Sequence, residues 1–243
     1  MHAGPRTTPG GRTVVVTGGT RGIGAAVARR FAADGDEVTV ADLHTDGVED
    51  TLPRGIRAVT VDVTRDCEVR SLLAQFARVD VLVNAAGVIA RDREYEIDAF
   101  ERVVAVNLTA AMRCCLAARE ALAAAPHGCI VNVASMLSFF GGPRVPAYSA
   151  SKGGVVQLTK ALAVAWAREG IRVNAVAPGW IRTGLTDDVQ ANDEANRRII
   201  TRTPMRRWGE AGEVAGAVAF LAGADAAFVT GTVLAVDGGY LAA

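Results

Sequence analysis

The chain has 243 residues, half of them hydrophobic and 21% charged, which suits a single domain with a full core and excludes global disorder. Lys+Arg and Asp+Glu balance at 26 each, so the basic excess of a nucleic-acid-binding domain is missing. Cys67, Cys114, Cys115 and Cys129 form no CxxC pair, and His2, His44 and His127 do not join them at metal-ligand spacing, so the cysteines read as small hydrophobes in a reducing compartment, with no metal.

Residues 1–11 hold Gly, Pro and Thr without an apolar run, and read as a loose tail with no signal peptide. From there, short β-branched runs alternate with longer amphipathic stretches. TVVVT (13–17) is a predicted strand, followed by a glycine-rich turn and a helix through Ala33. EVTVAD (37–42) and RAVTVDV (57–63) are the next strands, and a helix covers about 66–77. VDVLVNAAG (79–87) is a fourth strand, a long helical region runs from about Ala99 to Ala125, and CIVNVAS (129–135) is a fifth strand. Tyr148 to Glu169 reads as a helix and IRVNAVAP (171–178) as a sixth strand. A loop-like region at 180–212 precedes a helix in EVAGAVAFLAG and a last strand in GTVLAVDGG (231–239).

Apolar strands separated by helices imply a parallel sheet covered on both faces, a doubly wound α/β fold. One domain over 12–243 is predicted, with no linker or repeat inside it. The most apolar stretch, Val214 to Val229, is broken by Gly216, Gly223 and Asp225 and is too short to span a bilayer, so a cytoplasmic location is expected.

The first strand runs directly into Thr17-Gly18-Gly19-Thr20-Arg21-Gly22-Ile23-Gly24. In such a fold this turn sits at a helix N-terminus, where free N–H groups and the helix dipole favour a pyrophosphate. The spacing is G-x-x-x-G-x-G rather than the commoner G-x-G-x-x-G. Asp42 closes the second strand, where a carboxylate can accept hydrogen bonds from the adenosine ribose hydroxyls, and Leu43 follows it. Arg21 pulls toward a 2′-phosphate instead. A carboxylate against a phosphate costs on the order of 4 kcal/mol per unit charge at an effective dielectric of 20. An exposed Arg–phosphate pair returns only about 1 kcal/mol, so NAD is expected over NADP.

Tyr148 and Lys152 lie one helical turn apart and share a helix face, while Ser135 ends the fifth strand at the carboxyl edge of the sheet. A free tyrosine titrates near 10, and a neighbouring ammonium with a cationic nicotinamide would lower that value. A serine hydroxyl can hydrogen-bond a substrate oxygen.

TGGTRGIG, Asp62 in VDV, NAAG (84–87), Asn107 in VNL, Ser135, YSASK (148–152) and PGWIRT (178–183) occur together in one order over nearly the whole chain. In this the sequence resembles the short-chain dehydrogenase/reductase family. The resemblance implies a seven-stranded Rossmann sheet, a homotetramer, and a tetrad of Asn107, Ser135, Tyr148 and Lys152. In it Tyr148 is the acid/base, Lys152 holds the nicotinamide ribose, Ser135 orients substrate and Asn107 supports a water relay. It further implies that Asp62 and Val63 contact adenine, that Asn84, Ala85, Gly87, Pro178 and Gly179 line the cofactor, and that Ile181 and Thr183 approach the carboxamide. Ala85 departs from the family's usual second asparagine, which loosens a local hydrogen bond without touching the chemistry.

The stretch 131–155, with TPMRRWG (203–209) and the ending LAVDGGYLAA, resembles the 2-dehydro-3-deoxy-D-gluconate 5-dehydrogenase subgroup, with the gluconate 5-dehydrogenases or another polyol-type member as the alternative. Sugar acids need a cation for the carboxylate. Arg144, between Ser135 and Tyr148, is the leading candidate, followed by Arg91 and by Arg206 or Arg207; Trp180 and Trp208 are candidate pocket walls. The polar segment 180–212 reads as a substrate lid. The contrasting reading, a non-catalytic nucleotide-binding sensor, needs the glycine loop but not Tyr148.

Overall fold

The computed structural model describes residues 11–45, 52–53 and 55–243, so most of the expected N-terminal tail lies outside the described residues. Seven parallel strands form one sheet: β1 (Thr13–Thr17), β2 (Glu37–Asp42), β3 (Ile56–Thr60), β4 (Val81–Asn84), β5 (Cys129–Val133), β6 (Arg172–Pro178) and, last, β9 (Val233–Val236). Their order is β3-β2-β1-β4-β5-β6-β9, which reverses direction between β1 and β4. Two short strands, β7 (Ile181–Arg182) and β8 (Gly209–Glu210), pair in parallel apart from this sheet.

Alternation along each strand explains the two helical layers. Val15 points to one face, where α2 (Asp66–Leu73), α4 (Ala110–Ala123) and α5 (Pro146–Trp166) bury Leu72, Cys115, Leu122, Leu162 and Trp166. Val14 and Val16 point to the other, where α1 (Gly22–Ala33) and α8 (Ala211–Ala222) bury Val27, Phe31, Val214 and Leu221. Each fully buried valine or leucine contributes roughly 1.5–3 kcal/mol of transfer free energy, so every strand position has a reason to stay in register.

The strand ends align in register: Thr17 pairs with Ala41 and Asn84, and Asn84 with Asn132. Loops from β1, β4, β5 and β6 therefore leave the sheet along one edge, at the switch point where α/β proteins bind ligands.

Several boundaries differ from the sequence expectation. The third strand stops at Thr60 rather than Val63, because Asp62 turns the chain by accepting bonds from the Thr64 N–H and hydroxyl. The last strand is limited to 233–236 by left-handed glycines at φ 76° (Gly231) and φ 63° (Gly238). The fourth strand is likewise shorter than expected, at Val81–Asn84. The long helical region is two helices, α3 (Ile97–Val104) and α4, joined by a wider π-helical turn at Ala105–Thr109. The stretch expected to be loop-like, 180–212, contains β7, α6 (Asp187–Gln190), α7 (Asp193–Arg202) and β8, around a small core of Val189, Ile199 and Trp208. No helix among the described residues is long and apolar enough to cross a membrane.

Candidate active site

The glycine-rich turn is built so that backbone approaches backbone. Gly18 has φ 67°, and a Cβ there would stand 2.6 Å from the Ala86 backbone. A Cβ on Gly24 would stand 2.1 Å from the Gly18 carbonyl oxygen, so the α1 start is pressed against the turn. Helix α1 has Arg21 as its N-cap, with no side-chain cap and no acidic residue in its first turn. Its first N–H groups are therefore left for an anion, as a pyrophosphate site requires. Gly22, at φ 54°, faces the Thr183 methyl across the groove, where an added Cβ would be 3.4 Å away. Thr20, Ile23 and the left-handed Gly22 thus line one lip. Pro178 at the end of β6, Gly179, Ile181 and Thr183 line the opposite one, with Gly179 packed against Asp237.

Asp42 ends β2 beside this turn. Its carboxylate accepts bonds from the Thr20 hydroxyl (2.6 Å), the Thr20 N–H (3.3 Å) and the Leu43 N–H (2.8 Å). Arg21 is exposed nearby. Two hydrogen bonds from Thr64, with Arg65 close by, hold the Asp62 carboxyl below the usual carboxylate range. Asn84 donates to Asn132 Oδ1 (2.9 Å) and contacts Cys115 Sγ (3.3 Å), while its own Oδ1 is buried without a protein partner. A cavity of about 10 Å3 bordered by Thr17, Val63, Asn84 and Asn107 has room for one water to meet that oxygen. The residues present fit a dinucleotide: a bare helix end, a glycine cradle and a carboxylate at the second strand. Ala85 keeps its N–H on the Thr17 carbonyl (3.1 Å), which needs no side chain.

On the other side of the switch point, the structure brings together Ser135, Tyr148, Lys152 and Asn107. Ser135 caps the short turn 136–138 through the Leu137 N–H (3.1 Å), and Ser138 Oγ donates to the Lys152 carbonyl (2.8 Å). Lys152 is 3% exposed, and its ammonium donates to the Val133 carbonyl (2.6 Å) at the end of β5, 5.7 Å from the centre of the Tyr148 ring. Burial lowers the Lys152 amine to about 8.

Asn107 lies inside the π-helical turn, an irregularity that often marks a functional position. Its side chain makes three hydrogen bonds. Oδ1 accepts from the Val88 N–H (2.8 Å), and Nδ2 donates to the Val88 carbonyl (3.0 Å) and Ser151 Oγ (3.1 Å). Ser151 in turn donates to the Tyr148 carbonyl (2.8 Å). Asn107 thus anchors the loop after β4 to α5, the helix that carries Tyr148. Gly87 lies between the Asn107 and Lys152 side-chain tips.

Tyr148 is half-buried, and its phenol sits above its ordinary value. Burial is the main cause and Glu94 adds to it, while the Ser135 hydroxyl and the Arg91 charge act in the lowering direction. The Lys152 amine, at about 8, is still mostly charged near neutral pH and lies 5.7 Å from the Tyr148 ring.

The arginine candidates fall into a different order from the sequence reading. Arg144 is 62% exposed, and the Asp92 carboxylate holds it through both its Nε and Nη2 groups. Arg207 is likewise tied to Glu213 (2.6 and 2.8 Å), and Arg206 to the Thr201 carbonyl. Arg91 is only 17% exposed, acts electrostatically on Tyr148, and donates to the Leu185 carbonyl (3.0 Å) and Asp188 (3.1 Å) in the 180–212 segment. Trp208 is core of that segment at 1% exposure, edge-on to Trp180 at 5.5 Å, whose own indole N–H is buried without a partner. Sequence reasoning missed Glu94 and the buried pair Asn132 and Thr159, which back Asn84 from behind the sheet (Asn132 Nδ2 to Thr159 Oγ1, 2.9 Å). A glutamate in an ordinary polar loop carries no periodic mark, and Asn132 looks like one more strand residue.

A family model described as enoyl-(acyl carrier protein) reductase matches residues 18–241. The chain is 36% identical over 242 residues to a 2-dehydro-3-deoxy-D-gluconate 5-dehydrogenase of Bacillus subtilis, covering 95% of each chain. It is 42% identical to a cis-4-hydroxycyclohexanecarboxylate dehydrogenase of Sinomonas cyclohexanicum, covering 95% of this chain and 97% of that one. An uncharacterized short-chain type dehydrogenase/reductase of Sinorhizobium fredii is 40% identical over 95% of this chain, which spans 44% of that longer protein. Among solved structures, a candidate 2-deoxy-D-gluconate 3-dehydrogenase of Agrobacterium tumefaciens with bound NADP superposes with a TM-score of 0.89 at 40% identity, covering 97% of this chain and 98% of that one.

Proposed function

We infer the reaction from a family assignment: the chain belongs to the short-chain dehydrogenase/reductase family, and it is an oxidoreductase acting on CH–OH groups. Its reaction is the interconversion of a secondary alcohol and a ketone on a small hydroxy acid, of the sugar-acid kind handled by 2-dehydro-3-deoxy-D-gluconate 5-dehydrogenase. The observation that carries this is the convergence of Tyr148, Ser135 and Lys152 at the switch point, with the Arg91 charge beside Tyr148. Two relatives act on different carbon skeletons, yet both of their names describe an acid with a hydroxyl or keto group several bonds from the carboxylate. A cation set back from the proton-transfer group suits that shape, and Arg91 rather than Arg144 has the position for it.

When bound, the nicotinamide supplies the hydride acceptor or donor and, in its oxidised form, a positive ring. Gly18, Thr20, Gly22, Gly24, Asp42, Asn84, Gly87, Lys152 and Thr183 would hold the dinucleotide. Ser135 orients the carbinol or carbonyl oxygen. In alcohol oxidation the hydroxyl proton passes to Tyr148 Oη as hydride leaves the carbinol carbon; in reduction Tyr148 returns it. A phenol above its ordinary value is held in its protonated form near neutral pH, so oxidation, which needs tyrosinate to take the proton, is expected to accelerate as pH rises.

NAD is the cofactor of this reading, supported by the Asp42 carboxylate at the end of β2, which would repel a 2′-phosphate bound beside it. NADP in the Agrobacterium neighbour is the contrary observation. Segment 180–212 serves as a lid that reaches Arg91 through Leu185 and Asp188. Nicotinamide absorbance with NAD and NADP in turn, against D-gluconate, 2-dehydro-3-deoxy-D-gluconate and cis-4-hydroxycyclohexanecarboxylate, tests all of this. Turnover of at least one acid with NAD is expected, with KM for that acid raised about tenfold or more in Arg91→Ala. Turnover of neutral alcohols alone, or equal KM in the variant, would remove the carboxylate assignment. The family's homotetramer is also expected, and a monomeric mass in light scattering would refute it.

A further inference from the structure

Glu94 is a buried carboxylate that the mechanism above does not use. It lies in the loop between β4 and α3 and is 1% exposed. Burying an ionised carboxylate is costly unless its oxygens are satisfied. Both are: Oε1 accepts the Ala90 N–H (2.9 Å), and Oε2 accepts the Tyr148 N–H (2.8 Å), 54 residues further along the chain. The arginines flanking it in sequence are engaged elsewhere, Arg91 with Asp188 and Arg93 with Glu96.

The acceptor end explains the need. Helix α5 begins with Pro146 at its first position and Val145 as N-cap, and Val145 offers no side-chain cap. The exposed N–H groups of its first turn include that of Tyr148, and the positive end of a 21-residue helix favours a carboxylate there. Glu94 supplies from a distant loop the cap that the local sequence lacks. One side chain thus fixes the backbone of the proton-transfer residue and, at Ala90, the backbone preceding Arg91.

We propose that Glu94 is a positioning residue that ties the Arg91 loop to the start of the catalytic helix and sets the charge around Tyr148. The inference rests on Tyr148 as the proton-transfer group. The groups facing the phenol are Ser135 from the turn after β5, Arg91 from the loop after β4, Lys152 on its own helix, and Glu94 behind its backbone. Glu94 is the one anion among them.

The test reads tyrosinate absorbance and needs no substrate. The chain has three tyrosines, and subtracting each protein's own Tyr148→Phe counterpart isolates Tyr148. Glu94→Gln, nearly isosteric but uncharged, is expected to lower the Tyr148 midpoint by about one pH unit, since a nearby anion has been removed. Glu94→Asp keeps the charge and is too short to span both N–H groups. It is expected to hold the midpoint within about 0.3 unit and to lower kcat for an active hydroxy acid about tenfold. An unshifted midpoint in Glu94→Gln overturns the charge role, and wild-type kcat in Glu94→Asp overturns the tether. Turnover by Tyr148→Phe at the wild-type rate would instead remove the reading of Tyr148, and the titration would still decide the charge.

Discussion

Lys152 carries its amine at 3% exposure with one carbonyl acceptor, and that setting makes it a stability reporter as well as a site residue. Its value falls to about 8 from 10.5, so the folded state binds fewer protons than the unfolded chain between those limits. Stability must then rise with pH across that window and carry the full burial cost below it. A difference of about 2.5 units corresponds to roughly 3 kcal/mol. Denaturant titrations of wild type and Lys152→Met at pH 7.5 and 10 are expected to show the wild type gaining ground at the higher pH; no relative gain would mean the amine is not desolvated. The Tyr148–Lys152 spacing was legible in the sequence because helix geometry alone puts both on one face. The Arg144–Asp92 pair and Glu94 were not, because a loop's side-chain partners depend on where distant segments are brought. Arg144 lies between Ser135 and Tyr148 in sequence, yet it is largely exposed and paired with Asp92.

At the scale of elements, the strands were legible to within a few residues because β-branched runs in a two-sided sheet leave little choice of register. What ends them is less visible: an Asp62–Thr64 turn and left-handed glycines act outside the hydrophobic pattern. The π-helical turn at Ala105–Thr109 was invisible, since AVNLT has no residue that marks a widened turn. Its stabiliser is the Asn107 side chain, which holds Val88 at both backbone groups and reaches Ser151. Asn107→Ala removes three hydrogen bonds in a buried setting. It is expected to cost about 2–3 kcal/mol in unfolding free energy and to lower turnover, checked by denaturant melts and initial rates. A loss of under about 0.5 kcal/mol would show that the turn is held by its helices instead.

For the molecule as a whole, the parallel sheet brings the bare end of α1, Asp42 at the end of β2 and Ser135 after β5 to one edge, which is where the proposed dinucleotide binding and proton transfer would meet. The fold and its two helical layers followed from the sequence because alternating apolar strands and helices admit few other topologies. The content of the 180–212 segment did not: its order comes from a small private core around Trp208, whose partners are scattered over polar sequence. The most direct measurement compares wild type with Tyr148→Phe for NAD binding, by fluorescence titration, and for turnover of an active hydroxy acid. Binding within about threefold of wild type with turnover reduced on the order of a hundredfold or more is the expected result, since the proposed reading gives Tyr148 the proton and leaves the dinucleotide to other residues. Turnover near the wild-type rate with the hydroxyl removed would contradict the central claim.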